Sequence, residues 1–168
     1  QEASSFEGLE SVTGGNKIDI FNISQNIESN VSGGDGEDIF NINVMQLNAD
    51  VNGGVGNDVF NINVAVTKAK LNGDAGSDTF NVKSAGDITA TLDGGNDSDT
   101  INAANTKNAW ILGANESLNE KLTFSKIENV NGNDGVDEFT FSEARDVTGI
   151  VDAKGGDDIV KVGSIGFE

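Results

Sequence analysis

Apolar and polar residues alternate along most of this chain in short runs. Phe40, Ile42 and Val44 fall on one side of an extended segment, with Ile39, Asn41 and Asn43 on the other. That is the period-two pattern of a half-buried strand. A second run precedes each cluster of glycines, where Leu47, Ala49 and Val51 match Ile88, Ala90 and Leu92. Two short strands and two turns per unit are therefore expected. If units stack, Phe21, Phe40, Phe60 and Phe80 form one interior column, followed by Ile101, Phe139 and Val160. No segment carries the 3.6-residue period of an amphipathic helix.

Aligned on the glycine clusters, one unit recurs. It reads Val31-Ser-Gly-Gly-Asp-Gly-Glu-Asp-Ile-Phe-Asn-Ile42, then Val51 to Ile62, then Leu71 to Val82. Degenerate copies begin at Val12, Leu92, Val130 and Val151, and the starts at 12, 31, 51, 71 and 92 are separated by 19, 20, 20 and 21 residues. A fixed period near 20 predicts a solenoid in which each repeat is one coil. The step from 92 to 130 is about two periods, so an irregular coil without a glycine turn is expected at 104–129. Phe124, Ile127, Glu128 and Val130 there echo Phe6, Leu9, Glu10 and Val12. The predicted fold is thus all-β, a single parallel β-solenoid (β-helix or β-roll) over residues 1–168. It has about eight coils and one glycine-aspartate turn column. At ~4.8 Å per coil it makes a rod ~40 Å long.

Charge narrows the function. The 168 residues carry 28 Asp and Glu against 10 Lys and Arg, a net charge of -18, with no Cys, His, Pro or Tyr. Such a chain repels itself unless cations neutralise it. Nucleic acid is an unsuitable partner, because phosphate recognition needs clustered Lys and Arg. No apolar run is long enough to cross a bilayer as a helix, so membrane insertion is not expected. The chain opens Gln1-Glu2-Ala3 without a secretory signal, and is read as a processed chain or an excised segment.

The turns carry the candidate chemistry. In Gly-Gly-x-Gly-x-Asp, glycines allow positive φ and let backbone carbonyls crowd inward, while the closing aspartate adds a hard anionic oxygen. Ca²⁺ takes 6–8 such oxygens at about 2.3–2.6 Å, more than one turn can offer. Each ion should therefore lie between adjacent coils and tie them together. The bland reading is that Gly, Asn and Asp simply make good turns. Recurrence at one phase, together with the charge, favours calcium.

These segments resemble the nonapeptide repeats of RTX proteins, as found in large repetitive bacterial adhesins and surface proteins. The family normally carries two motifs per coil; here there is one, which implies a one-sided roll. The resemblance places metal-binding aspartates at Asp38, Asp58, Asp78, Asp99, Asp137 and Asp158. Carbonyls come from the neighbourhood of Gly33, Gly34, Gly36, Gly53, Gly54, Gly56, Gly73 and Gly76. Lys17 at the third glycine of the first turn, and Ala153-Lys154 in the last, predict weak binding or none there.

Catalysis has little to stand on. There is no His, Cys or Tyr to act as base or nucleophile. Recurrent aspartates suit a ligand ladder better than one glycosidase pair, and a lyase would have only Arg145 beside Asp146 as its basic group. The chain is not expected to be an enzyme. Asn22, Asn41, Asn61, Asn81 and Asn102 form an outward column, read as an amide ladder between coils. The less favoured reading is a face for a glycan or protein. Trp110 is read as a packing residue. The expected role is a calcium-stiffened rod or spacer in a secreted or surface protein such as an adhesin, biofilm-matrix protein or filament. Neighbouring repeats or copies would stack on its ends. The alternatives are a ligand-binding module, or the calcium-folded export module of a secreted enzyme.

Overall fold

A computed structural model of the chain describes residues 10–113, 116–142 and 148–163. Phe6, Leu9, Arg145 and Asp146 lie outside the described residues.

The described residues fold as a parallel β-solenoid built from two sheets around one core. The first five coils follow the repeat. Their leading strands, β1 (Ser11–Thr13), β3 (Asn30–Asp35), β5 (Asp50–Val55), β7 (Thr67–Ala75) and β9 (Thr89–Asn96), lie side by side in the larger sheet. Their second strands, β2 (Ile20–Ile23), β4 (Ile39–Ile42), β6 (Val59–Ile62), β8 (Thr79–Val82) and β10 (Thr100–Asn102), lie in the smaller one. Val31 pairs with Val51, Val51 with Leu71 and Leu71 with Leu92. Opposite them Phe21, Phe40, Phe60, Phe80 and Ile101 are neighbours in turn. The rings of Phe40, Phe60 and Phe80 stack with centroids 4.8 Å apart, so one coil rises one strand spacing.

Alternation makes these strands and closes the core. Phe40, Phe60 and Phe80 are wholly buried together with Leu47, Val51, Leu71 and Leu92, while the asparagine beside each phenylalanine faces out. A bulge between Thr67 and Lys70 breaks strict alternation, with Lys68 at φ 62°, and lets both Val66 and Ala69 point inward.

The stretch expected to be one irregular coil is a meander. β11 (Asn108–Leu112) is followed by β12 (Ser117–Leu118), antiparallel to it, and by β13 (Leu122–Ser125), antiparallel to β12. Asn119 and Glu120, at φ 53° and 62°, turn the chain between the last two. Two successive left-handed residues are what a tight hairpin turn requires. β13 then returns to β9, placing Phe124 beside Leu92, and β14 (Asn129–Asn131) crosses to β10, placing Val130 beside Ile101. β15 (Asp137–Phe141) stacks on β11, β16 (Val151–Asp152) on β14, and β17 (Ile159–Val162) on β15. Among the described residues the result is a ten-stranded and a seven-stranded sheet.

The meander adds two strands, β11 and β12, to the larger sheet and none to the smaller, and this shifts the repeat by half a coil. In the repeats starting at Val130 and Val151 the leading strand lies in the smaller sheet and the second strand in the larger. Two expectations are corrected. The interior column above Ile101 continues through Val130, not Phe139, which stacks on Trp110 instead, with centroids 5.8 Å apart. The glycine-aspartate turns form two columns on opposite edges of the solenoid rather than one.

Candidate functional site

The first column contains Asp38, Asp58, Asp78 and Asp99, each at most 1% exposed. Each occupies the inward position next but one before the phenylalanine or isoleucine of the core. Its Oδ1 accepts the main-chain N–H of the aspartate one coil earlier. Asp19 donates to Asp38, Asp38 to Asp58, Asp58 to Asp78 and Asp78 to Asp99, all at 2.7 Å. Asp99 donates in turn to Glu128 Oε2 at 2.9 Å. Asp19 and Glu128 thus terminate a ladder that the sequence reading did not extend to them. Asp19 stands five residues after Gly14, as Asp38 does after Gly33, and could have been found; Glu128 carries no such signal.

The second carboxylate oxygen is different. Oδ2 of Asp38, Asp58, Asp78 and Asp99 is buried and has no hydrogen-bond partner. A side chain at Gly33 would collide with both Asp38 Oδ2 and the carbonyl oxygen of Gly53. The same holds at Gly53 for Asp58 Oδ2 and Gly73 O, at Gly73 for Asp78 Oδ2 and Gly94 O, and at Gly94 for Asp99 Oδ2 and Lys126 O. In each coil a carboxylate oxygen and a carbonyl of the next coil therefore crowd one small space kept clear by glycine.

Backbone conformation explains the missing donor. The second residue of these turns is left-handed, with φ 105° at Gly34, 116° at Gly54, 74° at Asp74 and 112° at Gly95. So is the fourth, with 138° at Gly36, 135° at Gly56, 129° at Gly76 and 73° at Asp97. In the turns at 14–19 and 132–137 no residue takes a positive φ. There the second residue's N–H faces its own aspartate: Gly15 donates to Asp19 Oδ2 at 2.7 Å and Asn133 to Asp137 Oδ2 at 2.8 Å. Turns are thus open, leaving a bare oxygen, or closed, satisfying it from within.

Asp137 and Asp158 belong to the opposite edge, and Asn108 begins their column. Asn108 donates its N–H to Asp137 Oδ1 at 3.0 Å, and Asp137 donates to Asp158 Oδ1 at 2.9 Å. The Asn108 amide, 1% exposed, fills its own turn by donating to Ala104 O at 3.1 Å, Thr106 O at 2.8 Å and Asp137 Oδ1 at 2.9 Å. It was missed because alanine stands where the glycines mark other turns. The last turn, expected to be weak on account of Ala153-Lys154, has the open shape, with Lys154 at φ 68° and Gly156 at 118°. Asp158 itself is only half-buried.

Burial raises the carboxyl of Asp78 to about 7 and those of Asp58 and Asp99 to about 6, against the ordinary 3.8. Neighbouring carboxylates of the ladder add to this. A dry stack of bare carboxylate oxygens facing carbonyls calls for protons or a cation. The donor set fits Ca²⁺ by chemistry: oxygens only, anionic and hard. Among the described residues no three His, Cys, Asp or Glu side chains converge on one point. Any cation held here would therefore lean on main-chain carbonyls, with one carboxylate per coil.

The outward asparagines form a continuous ladder. Asn41 donates to Asn22, Asn61 to Asn41, Asn81 to Asn61, Asn102 to Asn81 and Asn131 to Asn102, at 2.7–3.2 Å. Above Asn102 the ladder continues through Asn131 and not through Thr140, because the half-coil shift places Thr140 in the other sheet. Trp110 is fully buried as expected, edge-on to Phe124 at 6.1 Å. Compared with family models, with curated proteins and with solved structures, the chain gives no match.

Proposed function

We propose that this chain is a calcium-stiffened solenoid segment, a rod or spacer of the RTX type in a secreted or surface-exposed protein. The observation that carries the reading is the run of buried Oδ2 atoms of Asp38, Asp58, Asp78 and Asp99, each without a donor and each beside a carbonyl of the next coil. A divalent cation there neutralises the ladder and joins two coils at once, so ligation becomes folding free energy. Asn108 offers a comparison within the molecule: where an amide NH₂ supplies the positive end of a dipole to the turn carbonyls, the turn needs no ion.

Extracellular calcium modules work at a Kd of about 10⁻⁴–10⁻³ M. A chain of that affinity stays loose where calcium is scarce and folds outside the cell. Both ends of the described solenoid leave core-phase apolar residues exposed, Val12 at one and Val160 and Val162 at the other. This suits stacking on neighbouring repeats or copies. The reading assigns the chain no catalytic role. The asparagine face, whose amides are occupied by one another, does not favour the glycan-binding alternative.

Circular dichroism and thermal melting in EGTA, then in ~5 mM calcium, test the proposal. A calcium-dependent gain of β signal and a large rise in Tm are expected. An identical, fully folded spectrum and Tm in both buffers would sink it.

A further inference from the structure

Seven turns share one sequence frame, beginning at Gly14, Gly33, Gly53, Gly73, Gly94, Gly132 and Ala153, yet the structure gives them two states. We infer that calcium is confined to the open turns, and that the closed turns at 14–19 and 132–137 bind none. The inference rests on the calcium reading above and adds to it which turns are occupied.

Two observations separate the classes, and a third adds to the closure at 132–137. In every glycine-led turn the aspartate Oδ2 and a carbonyl of the next coil crowd the space that the glycine keeps clear, but only at 33–38, 53–58, 73–78 and 94–99 is that Oδ2 buried and unpartnered. In the closed turns the same oxygen already holds a main-chain N–H, from Gly15 or Asn133. An ion would have to displace that donor: at the part-buried 132–137 turn this strands an N–H, which is expensive, and at the exposed 14–19 turn it breaks a 2.7 Å bond to gain a site open to water. The third observation is the neighbour. Asp137 Oδ1 takes both the N–H and the Nδ2 of Asn108, so both its oxygens are spoken for, and the space below is filled by an amide.

The consequence is an asymmetric rod. Four buried calcium sites lie in succession along one edge, ending at Asp99 and Lys126 O, where the meander interrupts the solenoid. Beyond it Phe124, Trp110 and Phe139 pack together, and the 132–137 turn is satisfied by its own amides. The interruption divides a segment with four buried sites from one held chiefly by side-chain packing, whose single open turn is half-exposed. Its half-coil shift also moves the later turns to the opposite edge.

Equilibrium dialysis with calcium on the full chain, with bound ions counted by atomic absorption, tests this. Four or five ions per chain are expected, the fifth at the half-exposed 153–158 turn; six or seven would mean that the closed turns bind as well and would overturn the inference. In Asp78→Asn the count falls by at least one, and in Asp137→Asn it is unchanged. Equal losses in the two variants would also overturn it, leaving calcium binding itself intact. No bound calcium on the unaltered chain would instead overturn the parent reading. The unaltered chain's count decides even if a variant fails to fold.

Discussion

Asp38 donates its main-chain N–H to Oδ1 of Asp58 at 2.7 Å, while the other oxygen of the same Asp58 carboxyl, equally buried, receives no donor at all. One half of the side chain is thus required by the fold, and the other half is a charge the metal-free fold cannot satisfy. Asp58→Asn separates the two. The amide it introduces keeps an acceptor for the Asp38 N–H and puts an NH₂ opposite Gly73 O. In EGTA at pH 7 the substitution is expected to stabilise the chain by about 1–3 kcal/mol, since an uncompensated buried charge is removed and a carbonyl gains a donor. In calcium it is expected to destabilise. Urea unfolding in both buffers reads this, and a loss of stability in EGTA refutes it.

Acid should act oppositely on the two forms. Asp58, Asp78 and Asp99 hold protons in the fold up to about 6, 7 and 6, whereas the unfolded chain releases them near 3.8. Burial is the chief cause in each, reinforced by Asp38, Asp74 and Glu37 around Asp58, by Asp99, Asp58 and Asp74 around Asp78, and by Glu128, Asp97 and Asp93 around Asp99. Between those limits the fold binds more protons than the unfolded chain, so stability falls as pH rises. The loss is about 1.4 kcal/mol per pH unit for each fully contributing group. In EGTA, Tm is therefore highest near pH 4 and declines toward pH 7. In saturating calcium the carboxylates are held ionised, and lowering the pH from 7 to 4 lowers Tm. Parallel melting curves across that range in the two buffers would contradict the ladder's electrostatics.

The regular coils were legible because one pattern sets both their cores and their turns. Val31, Val51, Leu71 and Leu92 share a phase with Phe40, Phe60 and Phe80, and stacking them leaves no other arrangement that buries both sets. The meander was not legible. Trp110, Leu112, Leu118, Leu122 and Phe124 alternate like any strand, and reversal of direction depends on Asn119 and Glu120 adopting left-handed φ, which glutamate gives no sign of doing. Once that hairpin was missed, Val130 and Phe139 were necessarily assigned to the wrong sheets. The open and closed states of the turns were hidden for a related reason. Gly15 is a glycine yet stays closed, whereas Asp74 and Asp97 are not glycines and yet are left-handed. Stacking on the neighbouring coil decides the conformation, not residue type alone.

The asparagine column is expected to behave as structure. Asn61 donates to Asn41 at 3.0 Å and accepts from Asn81 at 3.2 Å. Asn61→Ala loses both bonds and should cost about 1–2 kcal/mol. Asn22→Ala loses only the bond accepted from Asn41, and should cost about half as much. Chemical denaturation in calcium compares them. If neither variant changes stability by more than a few tenths of a kcal/mol, the column is not a structural ladder and its polar face needs another explanation.

The exchange of sheets at the meander can be tested by cross-linking, since the chain has no cysteine of its own. Asn102 is paired in register with Asn131 on adjacent parallel strands, their amides hydrogen-bonded at 2.7 Å. Adjacent strands lie about 4.8 Å apart, inside the Cα separation of roughly 4.4–6.8 Å that a disulfide spans. Asn102→Cys with Asn131→Cys should therefore oxidise to an intramolecular cross-link, visible by mass and by non-reducing electrophoresis. A single turn column would instead put Asn131, which lies in the leading strand of its repeat, in the larger sheet away from Asn102, and Thr140 in the smaller sheet two coils from it. In the structure Thr140 pairs with Ile111 in the larger sheet. Asn102→Cys with Thr140→Cys should therefore stay reduced under the same conditions. Both variants share Asn102→Cys, so the damage of opening the asparagine ladder is common to them and cannot produce the difference. Failure of the Asn131 pair to cross-link, leaving it as reduced as the Thr140 pair, would restore the single turn column.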